Sequence, residues 1–145
     1  MLLTLKELED LSKKISKKVK KGDTIYLKGN LGTGKTTFAK FFLKNFFKIN
    51  KKKTPLVTSP TFNIVQYYPV KKNLLVAHYD LYRLKKTKEL NNIGLYDLEN
   101  EVISIIEWPE LIKKKNKNRL ELLIKYSKKE GYRDVSAKYF GRIKK

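Results

Sequence analysis

The chain has 145 residues, of which 41% are hydrophobic and 12% aromatic, which is enough apolar material for one domain with one hydrophobic core. It contains no cysteine and one histidine, which excludes disulfide scaffolds, thiol nucleophiles and metal sites built from cysteine or histidine clusters. Lysine and arginine number 34 against 14 acidic residues, so the formal net charge is +20.

This charge attracts polyanions, so nucleic acid and nucleotides must be considered as ligands. Arginine, however, occurs at only four positions, namely Arg83, Arg119, Arg133 and Arg142. Arginine is favoured for forked contacts to phosphates and bases, so its scarcity argues against a dedicated nucleic-acid-binding module. Two interpretations stay open, a biased composition with a solvated basic surface and a selected nucleic-acid patch.

The sequence has no hydrophobic run that approaches the roughly 18 residues of a membrane span. Its first residues, Met1 to Lys6, lack the order of a signal peptide, in which charged residues precede apolar ones. We therefore expect a cytoplasmic protein that makes no contact with a membrane.

The first predicted element is an amphipathic helix. Thr4 and Glu7 have the spacing of a capping box. Apolar residues then recur every three or four positions as far as Val19, which predicts a helix that continues to about Lys20.

A short β-rich run, Thr24 to Lys28, leads directly into a glycine-rich loop. Beyond that loop, phenylalanines at 38, 41, 42 and 46 lie on one face of a second predicted helix. Residues 48–53 are predominantly lysine and are interpreted as a solvated basic loop.

The second half of the chain alternates strands and short helices. Residues 62–68 and 74–79 predict two strands, and the intervening link of five residues is short enough for a hairpin. One or two short helices are expected around Gly94, followed by an unbroken apolar strand over 102–106. Two further strands are predicted over residues 120–126 and 134–139.

The glycine-rich segment Gly29-Asn-Leu-Gly-Thr-Gly-Lys35-Thr36 has the pattern of a phosphate-binding loop, or P-loop. Its backbone N–H groups would surround the phosphates at the positive end of the following helix. Lys35 would reach the β- and γ-phosphate oxygens, and the Thr36 hydroxyl would ligate Mg²⁺. The order strand, loop, helix predicts an α/β fold of the P-loop NTPase type, a single domain over 1–145 with helices flanking a mixed sheet.

A P-loop also requires a carboxylate at the end of a neighbouring strand. Glu107 follows the apolar strand over 102–106, and Asp80 follows the strand over 74–79. Either could hold Mg²⁺ or orient the attacking water, and a solvated strand-end acid is the alternative for both. His78 lies on the same strand face as Asp80 and is interpreted as an orienting or packing residue.

Two further polar or aromatic positions accompany these acids. Ser59 and Thr61 precede a predicted strand, where their hydroxyls could sense a γ-phosphate, although an ordinary turn is the alternative. Trp108 follows Glu107 directly, and the pattern does not distinguish an exposed aromatic from a core anchor.

Taken in order, five segments resemble the TsaE (YjeE) family of bacterial ATPases in tRNA threonylcarbamoyladenosine biosynthesis. They are the P-loop through Thr37, Ser59-Pro-Thr-Phe-Asn-Ile-Val65, His78-Tyr-Asp-Leu-Tyr-Arg83, Glu89-Leu90 with Gly94, and Ile106-Glu-Trp-Pro109. Asn30 and Thr33 depart from the family's usual Asp and Ala, but P-loop chemistry requires neither side chain.

The resemblance implies a set of site residues. Lys35, Asp80 and Glu107 would be catalytic, and Thr36 and Glu107 would hold Mg²⁺. ATP would contact the P-loop, the switch segment, Trp108, the start of the first helix and a late glycine. These positions are Leu5, Gly32, Thr33, Gly34, Lys35, Thr36, Thr37, Ser59, Thr61, Trp108 and Gly131.

The resemblance also implies a function and partners. The chain would be an ATPase of low basal activity that binds the TsaD–TsaB pair and supports its modification of the adenosine beside the tRNA anticodon. The chain would reach tRNA through this complex, and its basic surface could add a weak direct contact. The alternative is a small P-loop kinase of a nucleoside or another small molecule, but no arginine-rich lid segment is visible.

Overall fold

The computed structural model describes residues 1–145 and contains one mixed sheet of seven strands. Across the sheet the strands follow the order β1-β7-β6-β2-β5-β4-β3. Their bounds are β1 (Leu2–Thr4), β2 (Thr24–Lys28), β3 (Val65–Lys71), β4 (Leu74–Asp80), β5 (Ile103–Glu107), β6 (Arg119–Tyr126) and β7 (Tyr132–Phe140).

The four central strands, β6, β2, β5 and β4, are mutually parallel, and antiparallel pairs extend the sheet on both sides. The carboxyl ends of β2, β5 and β4 therefore meet at one edge of the sheet. In open α/β sheets ligands bind at this edge, so the topology brings the P-loop and the strand-end acids together.

Helices cover both faces of this sheet, as the sequence predicts. Helices α1 (Leu5–Ser16) and α2 (Lys35–Ile49) pack against the larger hydrophobic core, where Phe38 and Phe42 are fully buried. The short helices α3 (Lys88–Asn92) and α4 (Leu95–Leu98) lie against a smaller core on the opposite face. The predicted α/β class with a mixed sheet flanked by helices is confirmed.

The first helix ends earlier than its apolar periodicity predicts. The capping box is present, but α1 stops at Ser16 instead of about Lys20. Ser12 and Ser16 donate side-chain hydrogen bonds to the carbonyls of Glu9 and Lys13, and such bonds compete with regular helical structure. Val19 is nevertheless buried in the core, which explains why it continues the apolar pattern.

The hairpin of β3 and β4 is confirmed, but its first strand begins at Val65 instead of residue 62. The amide of Ile64 donates to the carbonyl of Pro60, and Ile64 has a positive φ of 67°. This turn ends the preceding loop and delays the strand. Pro69 lies inside β3, where an edge strand can accommodate the missing N–H.

Two further elements differ from the sequence prediction, and β5, β6 and β7 differ from it by only one or two residues at their ends. Strand β1 spans only Leu2–Thr4, which is too short to leave a periodic signal, and it pairs with β7. Helix α2 extends to Ile49 and so includes the first part of the predicted basic loop. Within the described chain, no helix is both long enough and apolar enough to cross a bilayer.

Candidate functional site

The P-loop lies between β2 and α2, where the sequence predicts it. Gly29 has φ 145°, and a side chain at this position would overlap the carbonyl oxygen of Ile124. Gly34 has φ 115° and precedes α2 directly. Both backbones occupy a region that favours glycine, so these two residues allow the loop to fold tightly against the helix start.

The Lys35 side chain closes the loop. Its Nζ donates to the carbonyl oxygens of Gly29 and Asn30 at 2.7 and 2.8 Å. Burial lowers the pKa of the Lys35 ammonium, and the nearby Glu107 and Asp80 carboxylates act in the opposite direction. The ammonium thus lies beside two acids and within the loop that would surround the phosphates.

A continuous hydrogen-bonded chain joins the start of α2 to two central strands. The Thr36 hydroxyl donates to Glu107 Oε1 at 2.8 Å. The other oxygen of this carboxylate, Oε2, lies 2.7 Å from His78 Nε2. His78 and Glu107 are 0% and 1% exposed, so the pair holds the carboxylate in one orientation toward the loop.

Asp80 forms the second polar cluster. Its Oδ2 accepts from the Thr61 hydroxyl at 2.9 Å, and its Oδ1 accepts from the backbone amide of Tyr82 at 3.0 Å. Thr61 in turn lies 2.8 Å from the Ser59 hydroxyl. Ser59 therefore reaches this acid through Thr61 and makes no direct contact with it in this arrangement.

The sheet register brings the two acids side by side, because Asp80 of β4 pairs with Glu107 of β5. A cavity of about 190 Å³ lies in front of them. We call it the phosphate cavity. It is lined by Leu31, Gly32, Gly34, Lys35, Thr36, Thr37, Thr61, Asp80, Glu107 and Trp108.

A second cavity of about 280 Å³ lies on the other side of the same loop and is here called the helix-side cavity. It brings Leu5 and Gly131 together, although they are far apart in sequence. Gly32, Gly34 and Thr37 line both cavities, so the two form neighbouring compartments. Its lining residues are Leu3, Thr4, Leu5, Leu8, Gly32, Thr33, Gly34, Thr37, Gly131 and Arg133.

Trp108 has a positive φ of 56° and is partly exposed. Lys35 Nζ lies 4.0 Å from the centre of its indole ring, within the range of a cation–π contact. The centre of the Tyr82 ring lies 4.8 Å from the centre of the indole ring. The indole is therefore neither an isolated surface aromatic nor a core anchor, and it forms one wall of the phosphate cavity.

Sequence reasoning missed two residues that support the P-loop from β6 and β7. Arg133 Nε donates to the carbonyl of Thr33 at 3.0 Å, and the Tyr126 hydroxyl donates to that of Leu31 at 2.7 Å. The Arg133 guanidinium also lies 5.1 Å from the Tyr126 ring centre. The scarcity of arginine was the one sequence signal that could have drawn attention to Arg133.

The donor chemistry at Thr36 and Glu107 fits Mg²⁺. A hydroxyl and a carboxylate oxygen are hard ligands, and Mg²⁺ commonly combines one or two protein ligands with water and phosphate oxygens. The structure has no cluster of three or more His, Cys, Asp or Glu residues that could hold a metal. These residues therefore suit a metal that is shared with a nucleotide better than a metal held by protein alone.

Residues 2–135 match the model of the family described as "Threonylcarbamoyl adenosine biosynthesis protein TsaE". The chain belongs to the TsaE family. This match spans the P-loop, both strand-end acids and the elements that line the two cavities.

Individual relatives agree with this assignment. A Rickettsia felis protein named "tRNA threonylcarbamoyladenosine biosynthesis protein TsaE" is 38% identical over 107 residues, 74% of this chain and 60% of its own length. The Bacillus subtilis protein of the same name is 33% identical over 121 residues, 82% of this chain and 72% of its own length. The chain thus spans less than two thirds of the Rickettsia felis relative.

A solved structure supports the fold. The crystal structure of Bacillus subtilis YdiB aligns with a TM-score of 0.69 and 26% identity, covering 97% of this chain and 84% of that one. The fold class and the family resemblance predicted from sequence are both confirmed.

Proposed function

We propose that this chain, as one P-loop ATPase domain over 1–145, is a Mg²⁺-dependent ATPase that binds a TsaD–TsaB pair and supports threonylcarbamoylation of tRNA. The observation that carries the ATPase proposal is the contact of 2.8 Å between the Thr36 hydroxyl and Glu107 Oε1. It joins a P-loop to a strand-end carboxylate, which is the pairing used in P-loop NTPases. Membership of the TsaE family supports the link to tRNA modification.

In this proposal Lys35 binds the β- and γ-phosphates. Its ammonium exchanges the carbonyls of Gly29 and Asn30 for phosphate oxygens, which form stronger hydrogen bonds because they are charged. The backbone amides at the start of α2 add donors at the positive end of the helix. The nucleotide is thereby held with its terminal phosphate toward Asp80 and Glu107.

Thr36 and Glu107 would hold the metal. The motion of Glu107 is limited by His78, and that of Thr36 by its place in α2. Bound Mg²⁺ supplies charge neutralisation on the phosphates during transfer. His78 keeps one Glu107 oxygen occupied, so the other remains directed at Thr36. Thr36 itself is fixed at the beginning of α2.

Asp80 is the proposed group for orienting the attacking water. Its Oδ2 is bonded to the Thr61 hydroxyl in front of the phosphate cavity. Thr61 and Ser59 form a hydroxyl pair that can rearrange when a γ-phosphate enters. In this proposal the switch is the segment that precedes β3.

The adenosine end of ATP fits the helix-side cavity in this proposal. The cavity has an apolar wall from Leu3, Leu5 and Leu8, which suits the faces of a purine ring. Arg133 and Gly131 form the opposite side. The phosphate chain of ATP would then pass over Gly32 and Gly34, which line both cavities.

The openness of the site supports the proposed dependence on partners. Leu31, Phe62 and Tyr82 are 70%, 82% and 54% exposed around the P-loop and the acids. Water entering the site weakens electrostatic stabilisation of the transition state, so the chain alone should hydrolyse ATP slowly. A TsaD–TsaB pair docked on these exposed apolar groups would exclude that water.

The test compares hydrolysis by the chain alone, with TsaD–TsaB, and with nucleosides or other small acceptors. We expect slow Mg²⁺-dependent ATP hydrolysis that rises at least tenfold with the partner pair. Phosphate transfer to an acceptor, with no response to TsaD–TsaB, would instead support the alternative of a small P-loop kinase.

A further inference from the structure

One cavity of the structure is remote from the nucleotide site. It is an open groove of about 750 Å³ between the α3–α4 region and the loop that precedes β6. Its walls carry five lysines, Lys88, Lys113, Lys114, Lys115 and Lys117. We call it the lysine groove.

The lysine groove has a rigid floor. Asn116 is 7% exposed, and its side-chain amide donates to the Gly22 carbonyl and the Thr24 hydroxyl at 2.8 and 2.9 Å. Its backbone amide donates to the Tyr26 hydroxyl, and its Oδ1 accepts from the Asn118 amide. The loop from 113 to 118 is therefore fixed to the sheet, and the neighbouring lysines are presented in a defined arrangement.

Most of this positive charge has no partner in the protein. Lys115 forms an ion pair with Glu121 at 3.0 Å, but the other four lysines take part in no ion pair. Glu99 is the one carboxylate in the wall, and burial raises its pKa while Lys114 opposes that change. The lysine groove is thus a cationic surface whose charges are available to an external anion.

We propose that the lysine groove binds the phosphate backbone of RNA, and that tRNA is its ligand. This inference rests on the proposed function for the identity of the RNA. Lysine ammonium groups are point charges that contact phosphates without reading bases, so binding should be insensitive to sequence. An acidic protein surface could also bind these lysines. RNA is preferred as the polyanion because the proposed function is in tRNA modification.

The position of the lysine groove allows both sites to be occupied together. Asn116 contacts Thr24 at the amino end of β2, whereas the P-loop begins at Gly29 after its carboxyl end. At about 3.3 Å per residue, Thr24 and Gly29 are about 16 Å apart along the strand direction. Nucleotide binding and RNA binding can therefore be measured independently.

The test uses the full chain and a fluorescently labelled tRNA transcript, with anisotropy measured over a range of KCl concentrations. The groove variant is Lys113→Gln, Lys114→Gln and Lys117→Gln combined. The matched control is Lys13→Gln, Lys40→Gln and Lys48→Gln combined, which removes the same charge from exposed, unpaired positions on α1 and α2. Binding of a fluorescent ATP analogue shows whether each variant retains its fold and nucleotide site.

We expect the groove variant to bind tRNA at least about tenfold more weakly, and its plot of log affinity against log salt to flatten by about two units. The control should change affinity by less than about threefold, because a distant charge acts only through the screened field. Both variants should bind the ATP analogue as the wild type does.

Equal weakening by both variants would overturn the proposal, because the whole surface would then be responsible. Failure of the wild type to bind tRNA at low salt would also overturn it. Loss of TsaD–TsaB stimulation in a wild type that still binds tRNA through the groove would count against the proposed function and leave this inference standing.

Discussion

His78 Nε2 and Glu107 Oε2 lie 2.7 Å apart on adjacent parallel strands, and both side chains are almost completely buried. The second ring nitrogen of His78, Nδ1, has no hydrogen-bond partner. The histidine therefore directs its one polar contact at the carboxylate that faces Thr36. This relationship makes His78 a positioning residue for the proposed metal site.

Replacing His78 should test this role. We expect His78→Ala to reduce ATP hydrolysis about 10- to 100-fold, the range seen when the partner of a metal-bound residue is removed. The Mg²⁺ concentration for half-maximal activity should rise, whereas binding of ATP without metal should change little. His78→Asn retains a donor and should recover part of the activity. A Mg²⁺ dependence unchanged in both variants would show that His78 only fills space.

Lys35→Ala should weaken ATP binding or abolish hydrolysis. The ammonium is the one side-chain cation within the P-loop and is bonded to two loop carbonyls. The loss of these bonds should cost about 1–3 kcal/mol of stability and leave the domain folded. Thermal unfolding and ATP titration measure the two effects separately. A folded variant with the wild-type hydrolysis rate would contradict the site assignment.

Glu107→Gln should remove Mg²⁺-dependent hydrolysis and leave nucleotide binding measurable. The amide keeps the size of the side chain but lacks the negative charge that suits a metal ligand. Asp80→Asn is the matched comparison, because Asp80 pairs with Glu107 in the sheet register. If Glu107→Gln hydrolyses ATP with normal Mg²⁺ dependence and Asp80→Asn does not, Asp80 is the metal ligand.

Trp108→Ala should reduce stimulation by TsaD–TsaB more than it reduces ATP binding. The indole contacts Lys35 and Tyr82 but remains partly exposed at the mouth of the phosphate cavity. A tenfold stimulation corresponds to about 1.4 kcal/mol of barrier, and we expect most of it to disappear. Trp108→Phe keeps an aromatic ring and should preserve more of the response. Full stimulation of Trp108→Ala would exclude the indole from the docking or switch surface.

The lowered pKa of Glu121 predicts that the stability of the fold depends on pH. Burial raises its pKa, but hydrogen bonds from Lys28, Arg119 and Lys115 outweigh that effect and hold the pKa at about 2. The unfolded carboxyl titrates near its ordinary value of 4.5. Its contribution is therefore complete above about pH 4.5 and disappears as the pH falls toward 2.

Glu121→Gln measures this contribution. At pH 7 the variant should be less stable by about 1–2 kcal/mol, a value that allows for solvent screening of the partly exposed lysines. The difference in free energy of unfolding between wild type and variant should shrink as the pH falls from 4.5 toward 2. A difference independent of pH would assign the effect to packing instead of charge.

The local features of the nucleotide site could be predicted from sequence because each is encoded in contiguous residues. The P-loop occupies one segment from Gly29 to Thr36, and glycine is required there by the backbone itself. The buried strand that ends at Glu107 was visible as an unbroken apolar run. The strand is offset by one residue from the predicted range 102–106, and Glu107 remains the acid at its carboxyl end.

P-loop chemistry predicted a contact between the P-loop and a strand-end acid, and the family resemblance assigned it to Glu107. Thr36 and Glu107 are 71 positions apart, and His78 and Glu107 are 29 apart. Parallel strands are joined by crossovers that leave the strand order open, so no local pattern states which strands become neighbours. The hydrogen bond of His78 and the supports from Tyr126 and Arg133 therefore emerged only from the sheet.

By itself, the sequence determined the P-loop, the alternation of strands and helices, and an excess of lysine over acid. Tertiary structure decided which of those lysines share one surface, since Lys88 on α3 meets residues 113–117 only after the chain has passed through β5. It also aligned Asp80 with Glu107, where a slip of one residue would turn either side chain to the opposite face. The physical reason is the same in both cases: pattern sets the local conformation, whereas strand order and register set which side chains meet.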